Sequence, residues 1–246
     1  MSAAKEDPIL FHYTFRFGEG ESRDFTLRLD RRTLQLQTDE PADYPDWTRL
    51  SFHQCPNCPL AADAQPRCPI AANLVDLTDA FDHSVSYDEV EVLLETENRH
   101  YTKQTTVQQA LSSLLGIYMV TSGCPVMDKL RPLVRFHLPF ANLEETTYRI
   151  ISMYLTAQYL QMRRGTEPDW DLKGLVHIYE DVQQVNRSFS KRLEELNAED
   201  ASTNALAILD TFANYIAFTI DESMLDDLEL VFSAYFSDEG THGKSP

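Results

Sequence analysis

Four cysteines are all the chain has, and each is followed at once by proline. Three lie within 14 positions in HQCPNCPLAADAQPRCPIA, residues 53–71, spaced Cys55-x2-Cys58-x9-Cys68. The fourth, Cys124 in TSGCPV, comes after 55 further residues. With 12 prolines in 246 residues, four such successions would arise by chance with odds on the order of one in 10⁵. A CxxC pair lets two thiolates from one short turn point at a common ion, and a third can close the loop onto it. The fourth has to arrive through the fold. Four thiolates complete a tetrahedral zinc site or hold a cubane cluster.

Proline fixes φ, stiffens the loop and removes a backbone donor beside each sulfur. Cys-Pro also ends ferredoxin cysteine runs, whereas zinc ribbons more often place glycine, small or basic residues after their cysteines. The pattern therefore favours an iron–sulfur cluster, 4Fe–4S ahead of 2Fe–2S, over a structural zinc. A redox dithiol fits less well, because no thioredoxin-like βαβ pattern surrounds the CxxC. Four unrelated thiols are the remaining alternative. If Cys55, Cys58, Cys68 and Cys124 all ligate, no iron is left open, and the cluster carries electrons, senses oxidants or staples the fold. With three ligands, an open position could act as a Lewis acid.

Around this set, His53 stands two residues before Cys55, and Arg131, Arg135 and His137 follow Cys124 in KLRPLVRFHLPF. These four are candidates to surround the ligands. His83 and His100 have no comparable claim. The adjacent pairs Glu144–Glu145 and Asp226–Asp227 face different helix sides, a poor arrangement for two-carboxylate chemistry. Tyr148, Tyr154 and Tyr159, with Met153 and Met162, fit the core and rim of a helix bundle. No phosphate-cradling glycine loop, GxSxG or HExxH is present. Enzymatic activity stays open.

The elements that must bring the cysteines together are readable from periodicity. LFHYTFRF, FTLRL and RTLQLQT alternate as strands, which predicts a three-stranded meander over residues 10–38 with Phe11, Tyr13, Phe15 and Phe17 on one face. PIAANLVDLTDAFDHS reads as one helix, with Pro69 in its first turn. YDEVEVLLET and RHYTKQTTV form a hairpin turning at Glu97–Asn98. The rest is helical: an apolar helix stopping at Gly123, a helix opened by an Asn142–Glu145 capping box, two long helices and a shorter one over residues 223–236. Residues 237–246 read as a disordered tail. PDW occurs twice, in unlike surroundings, and marks no repeat.

This order predicts a single α+β domain over residues 1–236. Residues 10–105 form a small antiparallel β-layer with the cysteine loop, and residues 106–236 a helical bundle. The net charge of −18 argues against nucleic acid as a partner. Residues 165–246 carry 17 acidic and 5 basic side chains, whereas residues 125–164 carry 6 basic and 3 acidic. The acidic helices read as solvated faces, with a basic partner as the alternative. No apolar stretch is long enough for a bilayer and no secretory signal is evident, so the expected setting is cytoplasmic and reducing.

The strings PDWTRLSFHQCPNCPL, RCPIAANL, QQALSSLLGIYMVTSGCPVMDKLRPLVRFHLPFANLEET and EPDWDLKGLVHIYEDVQQVNRSF together resemble an uncharacterised family of bacterial, mainly proteobacterial, proteins known as a domain of unknown function. The resemblance runs from about residue 10 to residue 232. It implies a bacterial cytoplasmic protein whose Cys-Pro elements belong together, and it carries no catalytic residues. The expected function is a 4Fe–4S protein with an electron-transfer or redox-sensing role and a redox or protein partner of unknown identity. The alternative is a zinc-stapled interaction module without enzymatic activity.

Overall fold

The computed structural model describes residues 7–38, 43–196, 200–219 and 229–236. Strands β1 (Ile9–Arg16) and β2 (Ser22–Leu29) form a hairpin, as do β3 (Glu89–Thr96) and β4 (His100–Thr106). The two hairpins join edge to edge through β1 and β3 into an antiparallel sheet of order β2-β1-β3-β4. Alternation sorts the side chains as the pleat demands. Phe11, Tyr13 and Phe15 of β1, Leu27 and Leu29 of β2, and Val90, Val92 and Leu94 of β3 are all buried. Phe17 falls beyond the strand and is only partly covered.

The predicted third strand of the meander does not form. Residues 32–38 keep a single bridge to the sheet, Leu29 to Leu36. Asp30 explains this: its carboxylate accepts from the N–H groups of Arg32 and Thr33 at 3.0 and 2.7 Å, which curls the chain into an Asx-type turn. The Leu36 N–H then donates to the Thr121 carbonyl at 3.0 Å. The segment thus caps a helix end instead of extending a ladder.

The helix predicted from residue 69 is likewise two pieces, α1 (Pro69–Asn73) and α2 (Val75–Ala80), broken at Leu74 with φ −108° and ψ 2°. The Asn73 side-chain amide donates to the Pro69 carbonyl at 2.8 Å. The Leu74 N–H then turns onto the Ala71 carbonyl at 3.2 Å, a tighter closure that ends the first piece.

Helix α3 (Val107–Thr121) is buried along most of its length and packs on β3, β4 and α6. It leads into a 3-10 segment, Met127–Phe136. The capping box of α4 (Leu143–Met162) is present in both directions, Asn142 and Glu145 each serving the other's backbone N–H at 2.8 Å. Helices α5 (Lys173–Glu195) and α6 (Asp200–Thr219) pack along each other. Buried residues of sheet and helices form one continuous core, and the architecture is α+β. The predicted last helix, over residues 223–236, lies partly outside the described residues; Ser233–Phe236 is helical. Asp226, Asp227 and the tail 237–246 lie outside them altogether. Among the described residues no helix is long and apolar enough to cross a membrane.

Candidate metal centre

Cys55, Cys58, Cys68 and Cys124 all line one small cavity, of about 20 Å³. Three structural devices bring them there. A two-bond bridge pins the base of the cysteine loop: Leu50 N–H to the Pro66 carbonyl and Cys68 N–H to the Thr48 carbonyl, both 2.8 Å. Within the loop, Cys58 N–H donates to the Cys55 carbonyl at 3.0 Å, the tight turn that a CxxC spacing allows. The loop is tied to α5 at two points. The Asn57 amide donates to the Asp181 carbonyl and carboxylate, each at 3.0 Å, and His53 Nε2 meets Glu195 at 2.7 Å.

Two of the Cys-Pro pairs acquire a local reason. Cys68 is the N-cap of α1, with Pro69 in the first turn, where a missing N–H costs nothing. Its ψ of 120° is the extended conformation that a following proline enforces. At Cys124, Pro125 supplies no donor, and the next two N–H groups, of Val126 and Met127, turn onto the Cys124 sulfur. Gly123, φ 89°, ends α3 in the left-handed conformation and aims Cys124 at the loop. Gly123→Ala would force an L side chain into that region with its Cβ 3.2 Å from Gln35 Nε2. The expected loss, read from a urea melt, is about 1–2 kcal/mol.

Burial pushes the Cys55 thiol up to about 11, against a hydrogen bond from Ser188 that pulls the other way; the neighbouring cysteines add to the rise. Burial likewise raises Cys124, where the Met127 and Val126 N–H groups oppose it and Cys68 and Cys58 add to it. These thiols are therefore protonated at neutral pH unless a cation takes the proton's place. Among the described residues, no group of three or more His, Cys, Asp or Glu side chains stands at ion-holding spacing. The arrangement is a small chamber walled by four thiols.

The wall contains a residue that the Cys-Pro pattern does not announce. Arg192 of α5 is 2% exposed. It donates to the carbonyls of Trp47 and, at 2.9 Å, Arg49, and its guanidinium lies 5.6 Å from the centre of the Phe52 ring. It makes no ion pair with a carboxylate among the described residues. Burial lowers its pKa, and the groups that hold it up are Cys68, Cys55 and Cys58. A signal was present in the sequence: Val185, Phe189 and Arg192 share one helical stripe, so this arginine occupies an apolar position.

The other candidates disperse. His53 lines the cysteine cavity. Arg131 pairs with Asp128 at 3.3 Å, and Arg135 reaches the Arg31 carbonyl at 3.4 Å. Neither belongs to the cavity's lining. His137 lies in a different cavity, sharing a 2.8 Å hydrogen bond with the Tyr13 hydroxyl.

With this geometry in place, comparison with family models gives a match over residues 11–233 to a domain of unknown function, DUF6901. The chain belongs to the DUF6901 family. The match takes in the sheet, the cysteine loop, Cys124 and α5, so this DUF6901 domain contains every element that builds the chamber. No curated protein and no solved structure matches the chain.

Proposed function

We propose that this DUF6901 protein is a cytoplasmic iron–sulfur protein in which Cys55, Cys58, Cys68 and Cys124 hold a 4Fe–4S cluster for electron transfer or redox sensing. The observation that carries the reading is Arg192: a guanidinium buried without a carboxylate, facing cysteines. An isolated buried cation is expensive. Thiols cannot neutralise it, whereas thiolates bound to a metal or cluster can.

The rest of the chamber supports the same reading. The Val126 and Met127 N–H groups and the Ser188 hydroxyl donate to sulfur, which stabilises thiolate ligands and tunes a cluster's potential. A cubane spreads four thiolates over four irons, whereas a single zinc needs all its sulfurs about 2.3 Å from one point, a spacing that no such group meets among the described residues. A bound cluster supplies one-electron exchange. The chain's part is to orient the four sulfurs, balance their charge and exclude water. Cys55 and Cys58 are only half-buried, which brings that side of the chamber to the surface where a redox partner can approach.

Anaerobic purification followed by a visible spectrum and metal analysis tests the reading. A brown protein is expected, with iron and acid-labile sulfide at about four each per chain, and Cys124→Ser should bleach it. A colourless protein holding one zinc per chain would replace the cluster with a structural staple. Iron content indifferent to serine at all four cysteines would remove the site.

A further inference from the structure

Helix α5 lines two cavities with two stripes about a quarter-turn apart. Val185, Phe189 and Arg192 face the cysteines, while Tyr179, Val182 and Asn186 face a cleft of about 440 Å³. That volume is in the range of small-molecule sites. Its body is apolar, built from residues such as Ile117, Val182, Ile208 and Phe212.

Three polar side chains of this cleft, Asn186, Tyr179 and Arg149, stand out. Asn186 is 1% exposed, yet neither atom of its side-chain amide has a hydrogen-bond partner. A buried amide left so is costly unless something else meets it. Two turns earlier, about 10 Å along the axis, stands Tyr179, 5% exposed and held in its neutral, donating form by burial. Beside it comes Arg149 of α4, whose Nη2 donates to the carbonyls of Leu133 and Phe136 at 2.9 and 3.1 Å. Arg149 makes no ion pair with a carboxylate among the described residues. The carboxylate whose field it feels, Glu145, is occupied capping α4. One end of the cleft therefore offers a cation and a hydroxyl donor, and the other an amide that both donates and accepts.

We propose that this cleft binds an amphipathic monocarboxylate, its acid group on Arg149 and Tyr179, its apolar body along α5, and a hydroxyl or similar group on Asn186. The site stands independently of the cysteine chamber.

Isothermal titration of the full chain with 10-hydroxydecanoate, decanoate and 1,10-decanediol tests it. The hydroxy acid should bind about fivefold more tightly than decanoate, the worth of one hydrogen bond, and at least about tenfold more tightly than the diol, which lacks the charge-assisted pair. Asn186→Leu, which removes the orphaned amide at similar volume, should erase the preference for the hydroxy acid and leave decanoate within about twofold. Arg149→Gln should weaken both acids at least tenfold; because Arg149 also braces two carbonyls, Asn186→Leu and the cleft-filling Ile208→Trp provide the decisive arms. Acids that bind folded Ile208→Trp as they bind the wild type would overturn the proposal. So would a diol that matches the acids, or the absence of binding by either acid at about 1 mM, the weak limit for a specific small ligand.

Discussion

Arg192→Met is expected to destabilise the metal-loaded protein by about 3–5 kcal/mol, the range for removing one partner of a buried charge pair. Two costs combine. The anionic sulfur site loses its buried counter-charge, and the Trp47 carbonyl loses its Arg192 donor, worth about 1–3 kcal/mol when left buried and unmet, while the Arg49 carbonyl keeps the Phe52 N–H. In protein stripped of metal the Cys55 and Cys124 thiols are held protonated by burial, and Arg192 is left without the metal-bound thiolates that balance it. Its replacement there relieves a desolvation penalty, so the loss should shrink to about 1–2 kcal/mol. Arg192→Lys keeps the charge but not the planar guanidinium whose Nη1 meets both carbonyls, and should recover part of the loss only in the loaded state. Urea melts of loaded and stripped protein, each under anaerobic conditions, make the comparison. Equal losses in the two states would reduce Arg192 to a brace between α5 and the loop. In the loaded protein the midpoint potential of Arg192→Met should also move negative, because the more anionic reduced state loses more from the missing cation.

Arg192 also marks the boundary of what the sequence could reveal. Local rules were readable: Phe11, Tyr13 and Phe15 alternate because a pleated strand puts them on one face, and Asn142 and Glu145 cap α4 because their spacing lets each reach the other's N–H. The Cys-Pro spacing pointed to four residues, and these line one cavity. The failures came where a distant element competed for a bond. Residues 32–38 alternate like a strand, but the Leu36 N–H serves the end of α3 instead. That Arg192 has no carboxylate, and that Asn186 has no partner, are facts about everything else that surrounds them. No stretch of sequence states them. His137 shows the same limit, since thirteen positions after Cys124 it faces the second cleft and not the cysteines.

That histidine sets the pH response of the fold. Its imidazole bonds to the Tyr13 hydroxyl at 2.8 Å, and burial, aided by the nearby Arg149 charge, pushes its pKa from 6.5 down to about 3. The charged side chains lining the same cleft, Arg149 of α4 and Lys103 of β4, are both cations. Burial keeps the phenols of Tyr13 on β1 and Tyr179 on α5 neutral. Nothing facing His137 therefore welcomes a second positive charge. The unfolded chain takes up the proton near pH 6.5, while the folded one refuses it until about pH 3. Stability is accordingly full above pH 6.5 and falls as pH drops through that window, by at most about 1.4 kcal/mol per pH unit. Between pH 6.5 and 5 most carboxylates are still ionised in both states, so the decline there belongs chiefly to histidine. His137→Gln keeps an amide acceptor for the Tyr13 hydroxyl and does not titrate. Melts at pH 8, 6.5, 5.5 and 5 should show the wild type losing about 1–2 kcal/mol over the last 1.5 units relative to this variant. Parallel curves would mean that His137 accepts its proton in the folded state. Decanoate bound beside Arg149 would offset that cation and flatten the wild-type decline, while leaving His137→Gln unchanged in slope.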